Sequence, residues 1–262
     1  SNAQGHYRQF LRYGAERVRN KHILDKLQTR NYVNYTTSIY VQGQGDSKMN
    51  GTGSASDDRS LCWFFMLETW LKGLGYDVLF ANQGVSGTVF SSHRPSNVPS
   101  PAYVNEIPSY NINYANVTRA VEDFGADIVI AYSGTNDYIN QSEPELPYNW
   151  SVQMDACALA SAQCASCGVP YIHNTSGVAT GGLGDYDHEV FEDVRLHTLT
   201  FSNRITDSRR DLRDPSTLVG YPDMFTDDVH LDTRGNEVEC DTHKPFILGL
   251  IQSTQMFYPE TV

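Results

Sequence analysis

A serine, a histidine and an aspartate of this chain have the types and spacing that nucleophilic catalysis requires. Ser47 ends the sequence Gly45-Asp46-Ser47, which follows the apolar run at residues 38–41. A short apolar run that breaks into glycines is typical of a buried strand that ends in a tight turn. Such a turn would hold the serine at the end of a sheet. Because a serine hydroxyl is a weak nucleophile, it needs a base to remove its proton.

His230 is the candidate base, because histidine exchanges protons near neutral pH. Asp227 precedes it by three residues, so both side chains share one face of a turn or of a first helical turn. From there the carboxylate could hold the imidazole in the required tautomer. Asp228, two residues from the histidine, is expected to point elsewhere. The spacing predicts a triad of Ser47, His230 and Asp227.

Two further segments could stabilise the oxyanion that forms when the serine attacks a carbonyl. Gly84 lies in Asn82-Gln83-Gly84-Val85-Ser86-Gly87, and Asn136 lies in Gly134-Thr135-Asn136-Asp137. The backbone N–H groups of Ser47 and Gly84 and the Asn136 amide could donate to that oxygen, and loss of one such donor typically costs roughly 10²–10³ in rate. Each residue alone would be an ordinary turn residue. Their joint occurrence after successive predicted strands favours a catalytic role.

The elements that must position these residues alternate between strands and helices. The strands are predicted at about residues 38–42, 77–81, 127–132, 169–173 and 217–221. The helices between and after them are predicted at about residues 59–74, 112–124, 152–167, 188–207 and 244–254. This alternation predicts a parallel sheet with helices on both faces, whose ligand binds beyond the carboxyl ends of the strands. With the strand order 2-1-3-4-5, Ser47 and Asn136 would face each other across that crevice.

In this order, the four segments resemble those of the SGNH (GDSL-type) hydrolase family of serine esterases and lipases, over about residues 38–251. The resemblance implies a flavodoxin-like, three-layer α/β/α sandwich with a central parallel sheet of about five strands. It implies that Ser47 is the nucleophile and that Asp227 and His230 complete the triad. It also implies an oxyanion hole of Ser47, Gly84 and Asn136, and a reaction that needs no cofactor and no metal.

The resemblance implies ester hydrolysis through an acyl-serine intermediate. Loops rich in Tyr, Asn, Ser and Gly favour a small acyl group, such as acetyl, on a carbohydrate or another polar alcohol. Lipase or acyltransferase action on a longer acyl chain stays open, as does a catalytically silent carbohydrate-binding domain. Lys48 departs from the family pattern, in which many members carry a small or apolar residue, and is expected to affect the mouth of the substrate site.

Composition excludes several classes of partner. The chain has 262 residues, of which 40% are hydrophobic and 19% are charged, as in a globular protein. Its net charge of −12 repels polyanions, so nucleic acids and anionic membrane surfaces are not expected partners. No apolar run approaches the roughly 20 residues of a transmembrane helix. A small-molecule or saccharide ester is the expected partner.

The N-terminal region is interpreted apart from the hydrolase domain. Residues 1–3, Ser-Asn-Ala, are typical of the scar left by tag removal, residues 4–34 are predicted to form a helical extension, and residues 35–262 the hydrolase domain. Without the scar the chain starts near Gln4 and has no initiator Met. This start favours a secreted or extracytoplasmic protein over a cytoplasmic one.

Other chemically capable residues are interpreted as structural. Cys164 and Cys167, with two residues between them, could take part in redox or metal chemistry, but no second Cys pair or Cys/His pair lies at zinc spacing. The five cysteines are therefore interpreted as buried packing residues. They are Cys62, Cys157, Cys164, Cys167 and Cys240. A second candidate metal group is interpreted as a solvated helix start, where acidic residues suit the helix dipole. It consists of Asp185, Asp187, His188 and Glu189.

Trp63 and Trp70 are seven residues apart on one predicted helix and are expected in the core. His173 either lines the site or packs. Asp241 and His243 form a second Asp/His pair beyond the matched segments.

Overall fold

The computed structural model describes eleven stretches of the chain. They are residues 39–53, 59–87, 126–132, 134–136, 158, 160–162, 164–165, 168–175, 177–181, 188–201 and 205–255. The predicted tag scar at 1–3, the helical extension at 4–34 and the predicted helix at 112–124 lie outside these residues.

The centre of the described fold is a sheet of five parallel strands. The strands are β1 (Ile39–Gly45), β2 (Val78–Gly84), β3 (Ile128–Tyr132), β4 (Tyr171–Asn174) and β5 (Ile205–Thr206). Their order is β2-β1-β3-β4-β5, the order that would let Ser47 and Asn136 face each other across one crevice. Because β1 and β3 are adjacent although β2 lies between them in sequence, the strand order reverses at this point, and the turns that follow both strands share one crevice.

Five named helices accompany the sheet. They are α1 (Ser47–Asn50), α2 (Trp63–Gly73), α3 (His188–Phe201), α4 (Ser208–Asp211) and α5 (Thr233–Gln255). The described residues of the predicted cysteine-bearing helix, 158, 160–162 and 164–165, are also helical. None of the helices within the described stretches combines the length and apolar character that crossing a bilayer requires.

The two faces of the sheet bury separate apolar clusters. Val41 and Ile130 pack on one face with residues of α2 and α5, whereas Tyr40 and Val129 pack on the other face with Ala160. Neighbouring residues of a strand point to opposite faces, so β1, β3 and β4 each supply both clusters. Helices therefore cover the sheet on both sides, and the predicted three-layer α/β/α sandwich is confirmed.

The prediction of a fifth strand at 217–221 is wrong. The fifth strand is Ile205–Thr206, while Arg213 and Gly220 form an isolated antiparallel bridge outside the sheet. A two-residue strand has too little periodicity to detect, and the β-branched run near Val219 suggested the wrong segment. The third named helix consequently ends at Phe201 instead of 207.

The last helix also begins earlier than predicted, at Thr233 instead of 244. Asp232 caps this start, since its side chain accepts from the Gly235 N–H at 2.8 Å. Pro245 lies inside the helix, a position that typically costs about 3 kcal/mol. Burial of Ile247 and Ile251 in the core offsets that cost. The early start places the turn that carries His230 directly before α5.

Candidate active site

Ser47 lies at the carboxyl end of the central strand β1, as the first residue of α1. The turn is tight because a Cβ on Gly45 would lie 1.9 Å from the Tyr132 carbonyl oxygen. Asp46 caps the helix, and its side chain accepts from the Lys48 N–H at 2.9 Å. The side chain of the serine is thereby held at the edge of the sheet, with 8% of the residue exposed.

The predicted triad is assembled in the structure. His230 Nε2 lies 2.9 Å from Ser47 Oγ, and His230 Nδ1 lies 2.7 Å from Asp227 Oδ2. The side chain of His230 is 23% exposed and that of Asp227 is 56% exposed. The chain of hydrogen bonds therefore runs from the buried nucleophile to a carboxylate at the surface. Both ring nitrogens are engaged in the arrangement that base catalysis by histidine requires.

Asp227 is fixed by its own turn. Its Oδ1 accepts from the Val229 N–H at 2.7 Å and from the His230 N–H at 2.6 Å. Partial burial acts to raise the pKa of Asp227, but hydrogen bonds from the His230 side chain and from these backbone groups outweigh it and hold the pKa below its usual range. The carboxylate is thus ionised near neutral pH, as the acid of a triad must be.

Asp228 does not contribute to the triad, as predicted. Its Oδ1 accepts from the Thr180 hydroxyl at 2.5 Å, and its carbonyl accepts from the Thr180 N–H at 2.9 Å. This residue joins the triad turn to the segment that follows β4.

The candidate oxyanion donors lie at three neighbouring strand ends. The Ser47 N–H, at the first position of α1, makes no hydrogen bond to any residue that the structure describes. Asn136 is half-buried just after β3. Gly84 is the last residue of β2, but its N–H donates to Asn82 Oδ1 at 2.8 Å. The predicted role of Gly84 as an oxyanion donor stays a prediction.

Gly84 has a different visible role. A Cβ at this position would lie 2.5 Å from the Asn50 backbone nitrogen, so only glycine lets β2 approach α1 so closely. Asn82 reinforces that approach, since its amide nitrogen also donates to the Met49 carbonyl. The end of β2 is thereby fastened to the helix that carries the nucleophile.

A small group of exposed polar side chains lies beside the triad. The Thr52 and Ser86 hydroxyls are 3.0 Å apart, and Asn50 Nδ2 lies within 3.5 Å of both. The turn that carries Thr52 abuts the base, since a Cβ on Gly53 would lie 2.6 Å from His230 Cβ. Hydroxyl and amide groups thus border the nucleophile on one side.

The expectation that Lys48 affects the substrate mouth is wrong for its side chain. The residue is 2% exposed, and its ammonium donates to Thr135 Oγ1 at 3.0 Å and to the Val178 carbonyl at 3.2 Å. The helical turn that leaves Ser47 at the site edge directs the next side chain inward. Lys48 therefore lies beneath the site.

Three titratable groups are buried beneath the site. Burial raises the pKa of Asp46 to about 6, and Lys48 opposes that shift. Burial lowers the pKa of Lys48 to about 8, which Asp46 opposes in turn. Burial also raises the pKa of Glu239, on α5, to about 8. At neutral pH, Lys48 carries a positive charge, Asp46 a negative charge, and Glu239 a proton.

The second predicted Asp/His pair is paired differently. His243 Nδ1 hydrogen-bonds the Glu239 backbone carbonyl at 2.9 Å and lies 3.3 Å from Glu239 Oε1. His243 Nε2 lies 3.0 Å from Thr206 Oγ1. The exposed Asp241 instead contacts Lys244 at 2.5 Å. Both His243 and Glu239 are fully buried, so no substrate reaches them.

The remaining predictions concern packing. Cys62, Cys164 and Cys240 are buried in the core, in keeping with a structural role. Trp63 is fully buried and Trp70 is half-buried.

His173 is buried beside Tyr171, with Nδ1 at 3.2 Å from the tyrosine hydroxyl, so it packs. His188 begins α3, while Asp185 and Asp187 lie outside the described residues. Within the described stretches no group of three or more His, Cys, Asp or Glu side chains is placed to hold a metal ion.

Among the solved structures of similar fold are proteins named as lipases, lipolytic proteins and esterases. The chain is similar to a GDSL-like lipase from Bacteroides thetaiotaomicron, with 12% identity, a TM-score of 0.57, and coverage of 90% of this chain and 97% of that one. It is similar to a member of the lipolytic protein G-D-S-L family from Veillonella parvula, with 14% identity, a TM-score of 0.50, and coverage of 79% and 96%. It is also similar to an acetyl xylan esterase, with 16% identity, a TM-score of 0.52, and coverage of 78% and 97%.

No protein-family model matches the chain, and no curated protein does. At these identities the structural likeness establishes the fold. That fold is the SGNH hydrolase fold, which the four sequence segments implied.

Proposed function

We propose that this protein is a serine esterase that hydrolyses its substrate through an acyl-serine intermediate. The observation that carries the proposal is the unbroken chain of hydrogen bonds from Ser47 Oγ through His230 to Asp227, at 2.9 and 2.7 Å. It lies at the carboxyl edge of a parallel sheet, at the point where strand order reverses.

In the proposed reaction, Ser47 Oγ attacks the ester carbonyl while His230 Nε2 takes the hydroxyl proton. Asp227 holds the Nδ1 proton and stabilises the imidazolium that forms. The tetrahedral intermediate collapses, and His230 gives its proton to the departing alcohol oxygen. A water molecule, activated by the same imidazole, then attacks the acyl-serine and releases the acid.

The oxyanion of each tetrahedral intermediate needs donors that are already in place. We assign this role to the Ser47 N–H and to the Asn136 side chain. Gly84 joins them as a donor if Asn82 releases its N–H. Its contacts with α1 support a second role, in which it closes the wall of the hole. Removal of one donor is expected to lower the rate by roughly 10²–10³.

We infer a polar alcohol as the leaving group and a small acyl group, such as acetyl. The exposed hydroxyls of Thr52 and Ser86 and the amide of Asn50 are suited to hydrogen-bond the hydroxyls of a saccharide. A lipase or acyltransferase with a longer acyl chain is the alternative, and a GDSL-like lipase is among the proteins of similar fold.

The test compares wild-type protein with Ser47→Ala on nitrophenyl esters of acetate, butyrate and octanoate, and on acetylated oligosaccharides. Wild type is expected to favour acetyl esters, and Ser47→Ala to lose at least about 10⁴-fold in kcat. Ser216→Ala, which alters an exposed serine far along the chain, serves as the control. Equal activity of Ser47→Ala and wild type would refute the proposal. Saccharide binding without turnover by wild type would favour the silent binding domain, and preference for octanoate the lipase.

A further inference from the structure

Lys48 is a buried cation that the proposed chemistry does not use. It follows the nucleophile in sequence, and its ammonium bridges the segments after β3 and β4 through Thr135 Oγ1 and the Val178 carbonyl. The backbone N–H of the same residue is held by Asp46 at 2.9 Å. One residue therefore joins the ends of three parallel strands beneath the site.

We propose that Lys48 is a positioning residue of the esterase reaction, which sets the segment carrying Asn136 at a fixed distance from the Ser47 turn. The proposal rests on the function proposed above. Thr135, the residue whose hydroxyl accepts from the ammonium, is the immediate neighbour of Asn136. The hydrogen bond therefore acts one residue away from the assigned oxyanion donor.

The ammonium is confined to this position. A Cβ on Gly177 would lie 1.7 Å from Lys48 Nζ and 2.4 Å from Thr135 Oγ1, so the glycine leaves just enough room for the contact. The ammonium also lies 5.9 Å from the centre of the Tyr132 ring. The ammonium is thus held at one position, as a residue that fixes the spacing of two loops must be.

Burying a charged lysine side chain at this position costs free energy. Desolvation of its charge is only partly offset by attraction to Asp46 and Asp227, and repulsion from Arg209 adds to the cost. Replacing a buried charge with an apolar side chain of similar volume is often neutral or stabilising in proteins. A requirement for directed hydrogen bonds to Thr135 and Val178 accounts for a cation here, because an apolar side chain cannot make them.

This role has a kinetic signature. A misplaced oxyanion donor weakens the transition state and leaves the bound substrate unaffected, so kcat and kcat/KM fall together while KM stays constant. Acylation and deacylation both pass through an oxyanion, so kcat falls whichever step limits the rate. Misplacement by about 1 Å can cost on the order of 10² in rate.

The experiment compares Thr135→Val with Thr135→Ser. Valine matches the shape of threonine but cannot accept from the ammonium, whereas serine keeps the hydroxyl. We expect Thr135→Val to lose about 10-fold in kcat with KM within about 2-fold, and Thr135→Ser to retain at least about a third of wild-type kcat. Lys48→Met is expected to lose about 10- to 100-fold in kcat, again with little change in KM.

Gly177→Ala provides a second probe, because it leaves both partners chemically intact but forces Lys48 Nζ away from its place. It is expected to lower kcat with unchanged KM even if Lys48→Met does not fold. Equal losses in Thr135→Val and Thr135→Ser, or wild-type kcat in Thr135→Val and Gly177→Ala, would overturn the positioning role. Ser47→Ala separates the two proposals: if it is inactive while these variants keep full kcat, only the role of Lys48 is wrong, and if it is active the proposed function itself fails.

Discussion

Two acid–histidine–hydroxyl arrangements occur among the described residues, and only one of them suits catalysis. In one, Asp227 and His230 lead to Ser47 Oγ, which is 2.9 Å from the histidine. In the other, Glu239 and His243 lead to Thr206 Oγ1 at 3.0 Å. The first imidazole is 23% exposed and the second is fully buried. The imidazole–hydroxyl distances are similar, but His230 Nδ1 lies 2.7 Å from its carboxylate, whereas His243 Nδ1 lies 3.3 Å from Glu239 Oε1 and hydrogen-bonds the Glu239 backbone carbonyl at 2.9 Å.

Solvent access and charge separate the two. His243 stacks on Trp63 with ring centres 4.4 Å apart, and burial lowers its pKa to about 4. It is therefore neutral at physiological pH and resists the proton that a catalytic base must accept. Burial also raises the pKa of Glu239 to about 8, so its carboxyl is protonated. Asp227 is ionised in a solvated turn, where it can stabilise a positive imidazolium.

Removing each histidine in turn is the test with the largest expected effects. His230→Ala is expected to lower kcat by roughly 10⁴–10⁶-fold with little effect on the free energy of unfolding, because the side chain is partly exposed. His243→Ala is expected to cost about 2–4 kcal/mol of stability through a cavity and an unsatisfied hydroxyl. Its kcat per folded molecule should stay within about 10-fold of wild type.

Chemical denaturation and ester hydrolysis measured on the same preparations check this pair. A His243→Ala protein that is folded but inactive would show that the buried arrangement takes part in the reaction.

The two neighbouring aspartates provide the next comparison. Asp227→Asn keeps the shape of the side chain but no longer stabilises the imidazolium, and we expect kcat to fall by on the order of 10³–10⁴. Asp228→Asn perturbs only the contact with Thr180 and is expected to keep kcat within about 5-fold of wild type. Steady-state kinetics on a short-chain ester measure both. Similar losses in the two variants would mean that the turn, and not the Asp227 charge, matters.

The smallest expected effect concerns the pH dependence of stability. The folded pKa of Glu239, about 8, lies above its ordinary value of 4.5, so the folded state holds a proton that the unfolded state releases. Stability from this group is present below pH 4.5 and is lost as pH rises through 8. The pKa shifts of Asp46 and His243 change the stability only between the ordinary and the folded pKa of each group. All of these pKa values lie at or below 6.5.

Between pH 6.5 and 8, the free energy of unfolding of wild type should therefore fall by up to about 2 kcal/mol through Glu239. Glu239→Gln keeps an oxygen that accepts from Asn174 but cannot ionise, so its stability should be flatter over this interval. The exposed Glu237→Gln is the matched control and should follow wild type. Urea denaturation at several pH values measures the slopes. Parallel slopes in Glu239→Gln and wild type would contradict the assigned shift.

The triad could be predicted from the sequence because its cues are local. Ser47 follows an apolar run and a glycine turn, and Asp227 and His230 are three residues apart, so strand-end and helical-turn rules place them. The fifth strand could not be predicted, since the two residues Ile205–Thr206 carry no period. Packing of Ile247 against the core carries α5 through Pro245, which local propensity opposes.

The buried contacts of Lys48 beneath the site could not be predicted, for a different reason. Lys48 contacts Thr135 and Val178, which are 87 and 130 residues away in sequence, and no local pattern specifies such pairs. The pairing of His243 with Glu239 could have been predicted, because Glu239 lies four residues before it on one helix face. Asp241 lies two residues away and cannot share that face, so the i,i+4 rule would have found the correct acid.

Covalent labelling with a fluorophosphonate tests the central claim most directly, since this reagent phosphonylates a serine that an adjacent base has activated. We expect one adduct per chain, on the peptide that carries Ser47, formed rapidly in wild type and in His243→Ala and lost in His230→Ala. Intact-mass and peptide mass spectrometry measure both its stoichiometry and its position. No adduct on Ser47 in folded wild-type protein, or equal labelling in His230→Ala, would contradict a nucleophilic Ser47 activated by His230.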